Sequence, residues 1–221
     1  MSIRSRTVAS AAVAAMLAVV GRAHAEPSAS DKALADSLFQ EGKRLVTAKR
    51  YAEGCAKLAE SQRLDPATGT LLNLAVCHEL EGKTATAWVE FNDALVESRK
   101  EKRAERVKLA QDHIAKLEPR LSRITVTVAP DARVPGLSVT RNGAAIRDAA
   151  WGTSFPVDPG VQTLSASAPG KKSWETSLTL AEGESRSVVV PALEAAAPAA
   201  SAASRSQPAP PPAGSEAGSG Q

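Results

Sequence analysis

The chain has few of the residues on which reactive chemistry is usually built. Its 221 residues include two cysteines, Cys55 and Cys77, and three histidines, His24, His78 and His113. The cysteines and the two later histidines lack the close pair spacing of a structural zinc site. No G-x-S-x-G elbow, no GxxxxGK[ST] phosphate loop and no acidic calcium loop occurs, and the serine of "WGTSFP" stands outside any such elbow. Cys77 and His78 are neighbours, but adjacent helical side chains point about 100° apart, so the imidazole is badly placed to take the thiol proton. Carboxylate pairs such as Glu79 with Glu81 and Glu182 with Glu184 suit solvated surfaces. The expectation is a protein with no catalytic residues, no metal site and no cofactor, which is not an enzyme.

Long apolar runs are almost as scarce. One extends from Val8 to Val20, behind Arg4 and Arg6 and ahead of Ala23-His24-Ala25. It is shorter than the ~20 residues of a good membrane helix, and its flanks predict a secretory signal peptide over residues 1–25. Removing that segment takes away Arg4, Arg6 and Arg22 and no acids, leaving 24 basic residues against 24 acidic ones. A formally neutral mature chain gives no reason to expect nucleic acid as a partner, and no other stretch predicts a membrane span. At the far end, residues 194–221 are almost entirely Ala, Pro, Ser and Gly. Such a stretch cannot bury enough surface to offset its ordering entropy, so a disordered tail is expected there.

What lies between changes period once. Over residues 31–118 apolar residues recur at three and four; from Arg123 to Leu193 they alternate in short Val/Thr/Ser runs broken by Pro and Gly. The predicted fold class is α + β in separate modules: antiparallel helical hairpins, then a small antiparallel β-sandwich over residues 121–193. In the first helical unit Leu38, Gly42, Leu45, Tyr51, Gly54, Leu58, Ser61 and Pro66 follow in order; in the second, Leu71, Leu74, Ala75, Gly82, Ala87, Phe91 and Ala94. Small residues fall where helices must cross closely and large ones where they fill the groove. This pattern resembles the tetratricopeptide (TPR) repeat, a pair of antiparallel helices of ~34 residues. A third unit, "SRKEKRAERVKLAQDHIAKLEPRL", is predicted as one long capping helix with Val107, Ala110, Ile114, Leu117 and Leu121 on its apolar stripe and Pro119 ending it. Asp112 and Lys116 are spaced for an i,i+4 pair, and His113 is expected on the solvated face.

In the β half, Ile124, Val126 and Val128 alternate with polar residues, and Asn142-Gly143 predicts a hairpin turn because both residues tolerate positive φ. The run "PVDPGVQTLSASAPGKKSWE" resembles the PEGA domain of bacterial envelope proteins. Taken whole, the chain is similar to exported bacterial proteins that join TPR-like helices to a PEGA-like sandwich.

The resemblance implies a periplasmic or cell-envelope scaffold or adaptor. Its helical groove would hold a peptide or envelope protein, with Gln40, Lys43, Asn73 and His78 as groove contacts, and its β module would dock on a partner. A second class of function is binding to cell-wall or surface glycan through Trp151 and Trp174, whose rings could stack on sugars or simply pack the sandwich. Trp88 is expected in the helical core against the capping helix. The repeat pattern puts Cys55 and Cys77 at apolar positions on faces that meet across the repeat boundary. A disulfide, favoured by export, and a pair of reduced core cysteines are both open at this point.

Overall fold

The computed structural model describes residues 26–196. The predicted signal segment and residues 197–221 lie outside that range. Among the described residues five helices precede seven strands: α1 (Ala29–Thr47), α2 (Tyr51–Leu64), α3 (Thr68–Glu81), α4 (Thr84–Lys100), α5 (Ala104–Leu117), then β1 (Ser122–Val128), β2 (Ser138–Arg141), β3 (Ala144–Ala145), β4 (Ser154–Val157), β5 (Gly160–Ser167), β6 (Trp174–Leu180) and β7 (Ser185–Val190). The fold is therefore α + β in separate modules.

Ser28 starts α1 because its hydroxyl accepts from the Asp31 amide at 3.1 Å while the Asp31 carboxylate accepts from the Ser28 amide at 3.3 Å. α1 and α2 then cross through glycine. A Cβ on Gly42 would lie 2.8 Å from Leu58 Cγ, and one on Gly54 would lie 2.8 Å from Val46 Cγ2 and 3.1 Å from the Gly42 carbonyl oxygen. In the second hairpin Ala75, Ala87, Phe91 and Ala94 are fully buried and pack with Leu72, Ala110 and Leu117. Gly82, with φ 87°, ends α3 in the left-handed conformation that lets the chain reverse.

The third helical unit differs from the sequence expectation. α4 stops at Lys100 and α5 begins at Ala104, with Lys102 at φ 58° in the turn. That turn folds α5 back onto the hairpin and buries Ala110 and Leu117; an unbroken helix would carry the same stripe into water. On α5, Asp112 pairs with Lys108 at 2.7 Å and not with Lys116, since a residue four positions earlier is an equal neighbour on a helix.

The β module forms two sheets, a three-stranded one in the order β4-β1-β7 and a four-stranded one in the order β3-β2-β5-β6. Ile124, Val126, Val128, Val139, Val157, Leu164, Ala166, Leu180 and Val190 fill the space between them. The four-stranded sheet is antiparallel throughout, and Asn142 and Gly143, at φ 47° and 80°, make the expected β2–β3 turn. The other sheet departs from the expected antiparallel sandwich, because β1 pairs β4 antiparallel but β7 in parallel. This pairing closes the module by laying its last strand along its first. Residues 194–196, read as the start of a disordered tail, continue along the β5–β6 turn: Lys172 donates to the Glu194 carbonyl at 2.8 Å and Ala196 to the Gly170 carbonyl at 2.9 Å. Backbone pairing, which composition does not reveal, holds them there.

Two polar seams join the modules. The α4 N-terminus has no side-chain cap of its own. Asp158, in the β4–β5 turn "VDPG", supplies one: its carboxylate accepts from the Thr86 amide at 2.8 Å and the Thr86 hydroxyl at 2.6 Å. At the other seam Arg120, in the short turn after α5, donates to Glu182 at 2.8 Å and lies 3.7 Å from Glu79 of α3. The Glu182 hydrogen bond and charge raise Arg120 above its ordinary pKa, and Arg120 in turn holds Glu182 below the usual carboxylate range.

Candidate functional site

The helical module has an open cleft of about 430 Å³ over the start of α3. α1 supplies Asp36 and Phe39, the α2–α3 turn supplies Asp65, and Glu101 at the end of α4 with Arg106 in the first turn of α5 closes the far side. Glu101 is already satisfied, accepting from the Thr68 hydroxyl and from Arg106 at 3.0 Å. Arg106 lies across α3 over Gly69, where a Cβ would meet its guanidinium at 3.4 Å, an ordinary contact distance. The cleft thus offers an aromatic wall, two further carboxylates and one engaged arginine.

The four groove contacts expected from sequence do not line this cleft. Gln40 and Lys43 are exposed on α1, where the Lys43 ammonium sits 5.3 Å from the centre of the Phe39 ring. Asn73 is half-buried and spends its amide on the Gly69 carbonyl, one turn back, at 2.8 Å. His78 faces the second hairpin helix instead, with Nδ1 2.8 Å from the Glu90 carboxylate.

Beside His78, Cys55 and Cys77 form a disulfide with their Cα atoms 5.5 Å apart. Both are buried, with Leu58 and Leu74 around them and Phe39 and Val46 packed against the cluster. Closing a loop of this length stabilises the fold by about 3 kcal/mol in the chain-entropy view. Ligand-capable atoms of Cys55, His78 and Glu81 lie within 4.8 Å of one another. Sequence spacing hid this cluster, because Glu81 read as a surface acid and Cys55 is on a different helix. The half-buried His113 is a second correction. It stacks on Phe91 at 4.5 Å and hydrogen-bonds Glu79, because the α4–α5 turn swings that side of α5 onto α3 and α4. His78–Glu90 and His113–Glu79 each pair a base with an orienting carboxylate. Neither has a free thiol to activate among the described residues, since both cysteines are bonded to each other.

The β module carries a larger cleft, about 840 Å³, lined by Arg133, Leu137, Ile146, Arg147 and Trp151 among others. Trp151 donates its indole N–H to the Ile146 carbonyl at 3.1 Å, and the Arg133 guanidinium stands 6.0 Å from the ring centre. Trp174 opens β6 and packs on the sandwich core outside that cleft. The two tryptophans do not form a joint stacking platform. Trp88 is half-buried against the α3–α4–α5 core.

No protein-family model matches this chain, and no curated protein matches it. No helix among the described residues is long and apolar enough to cross a membrane.

Proposed function

We propose that the chain is an exported, non-enzymatic adaptor of the cell envelope that holds a polypeptide segment in the cleft over α3. The observation that carries this reading is the pairing of the Phe39 wall with the Asp36 and Asp65 carboxylates, neither of which has a salt-bridge partner within the described residues. An extended peptide bearing lysine or arginine beside an apolar residue suits that lining. The β module, fixed to the helices through Asp158 and Arg120, serves as the docking platform. Export is supported by the signal-like first 25 residues and by the disulfide, which persists in oxidising compartments.

A photo-crosslinking side chain at Asp36 or Thr70 should trap one polypeptide species in intact cells, and the same group at Lys172 should not. Asp36→Lys should reduce trapping from Thr70 about tenfold while leaving the melting temperature unchanged. Equal trapping from Lys172, or no effect of Asp36→Lys, removes the cleft from the function.

A second reading, binding of an anionic surface glycan, is favoured by Trp151 lining the larger cleft together with Arg133 and Arg147. It predicts that acidic oligosaccharide quenches Trp151 fluorescence. The Arg133 guanidinium stands 6.0 Å from that ring, so a sugar stacking on Trp151 would have to displace it.

A further inference from the structure

We propose that the helical module contains a zinc site that exists only when the Cys55–Cys77 bond is reduced, with Cys55, Cys77, His78 and Glu81 as ligands. In this scheme the disulfide and the metal are alternative pins for one helix junction.

The donor set is assembled from two helices. Cys55 comes from α2, and Cys77, His78 and Glu81 come from α3. Atoms of Cys55, His78 and Glu81 already lie within 4.8 Å of one another. Tetrahedral zinc, with bonds of about 2.3 Å to sulfur and 2.0–2.2 Å to nitrogen and oxygen, sets ligand separations of roughly 3.3–3.8 Å. Breaking the sulfur–sulfur bond frees both cysteine side chains to close that gap of about 1 Å.

Two further features point to a ligand. Glu81 Oε2 is buried without a hydrogen bond, and the Lys83 ammonium lies 3.1 Å from it outside hydrogen-bond geometry. His78 Nδ1 is held by Glu90, so a neutral ring keeps its Nε2 lone pair for a metal. A carboxylate gripping the far nitrogen is the usual way a ligating histidine is oriented. His78 and Glu81 are also the partly exposed members of the group, which gives an ion its path in, while both cysteines are buried. Thiolate, imidazole and carboxylate together suit zinc better than magnesium or calcium, which prefer oxygen alone.

The chemistry balances with an ordinary reductant. A dithiol donates two electrons and two protons, leaving as its own disulfide, and yields two cysteine thiols. A phosphine does the same with one water, leaving as its oxide. Zinc then replaces the two thiol protons, which pass to solvent.

The test uses the chain from residue 26 onward, reduced in denaturant with a phosphine and refolded, beside the oxidised protein. Zinc is titrated calorimetrically, and cobalt(II) is followed by absorption. The expected result is one zinc per reduced chain, none bound tightly by the oxidised chain, and a near-ultraviolet thiolate-to-cobalt band. Glu81→Gln and His78→Gln should each weaken binding at least about tenfold. Far-UV circular dichroism guards against misfolding: should the reduced chain lose helix, zinc must restore it in the wild type and not in Cys55→Ser/Cys77→Ser. Equal affinity in the oxidised protein, indifference to Glu81→Gln and His78→Gln, or cobalt spectra without a thiolate band each overturn the proposal.

Discussion

In the α1–α2 hairpin the backbones meet through Gly42 and Gly54; 33 residues later, at Ala75 and Ala87, the α3–α4 hairpin meets through two methyl groups with no space around them. The same offset turns Leu58 into Phe91 and Ser61 into Ala94. The first pair gains its fit by letting main chains touch, with Ser61 donating to the Ala35 carbonyl at 2.7 Å. The second pair is filled by a ring that also stacks on His113 of α5. Position in the array explains the contrast. The second hairpin is packed on both sides, by α2 and by α5, whereas α1 and α2 have a neighbour on one side alone and are tied to it by the disulfide. A terminal unit with one partner depends on its own internal crossing.

The largest way to break this comparison is Phe91→Ala, which empties the wedge of the second hairpin. It should cost about 3–5 kcal/mol in chemical denaturation, and a loss under about 1 kcal/mol would mean the ring does not hold the α4–α5 junction. Next comes Gly54→Ala. Its new methyl group meets the Gly42 carbonyl, main chain that cannot rotate away, so a loss of about 1–3 kcal/mol is expected despite the better helix propensity of alanine. A stabilising outcome would show that the first crossing is no tighter than the second. The smallest effect is Asp158→Ala, which leaves both hairpins intact and removes the cap on α4; about 1 kcal/mol should be lost. Hydrogen exchange should localise that loss to the first turn of α4, and unchanged exchange there would detach the sandwich from the helices.

How much of this was legible follows from sequence distance. Gly42, Gly54, Ala75, Ala87 and Phe91 were readable because a repeat states its close contacts locally and then states them again. The break between α4 and α5 was not. "SRKEKRAER" contains neither glycine nor proline, and Lys102 takes positive φ only because burying Ala110 and Leu117 requires a reversal there. Alternation in Ile124, Val126 and Val128 revealed a strand and its inner face, but alternation carries no information on direction, and the parallel partner of β1 lies some 60 residues further on. The candidate sites suffered most. His78 was visible as a groove residue, while Glu90, which claims its ring, sits on the returning helix. Asp158 belongs to the run that carries the PEGA resemblance, where nothing marks it as a cap, and its role depends on Thr86, 72 residues earlier. Contacts of that span are properties of the packed chain, and no periodicity announces them.

The grip of Asp158 on Thr86 also makes the molecule a mechanical element. A pull applied to the sandwich reaches the helical array at two places, the connecting residues 118–121, where Arg120 also meets Glu182 and Glu79, and the first turn of α4. With two anchorage points the sandwich resists swivelling on the connecting segment, and torque on it is delivered to the first turn of α4 as well as to the end of α5.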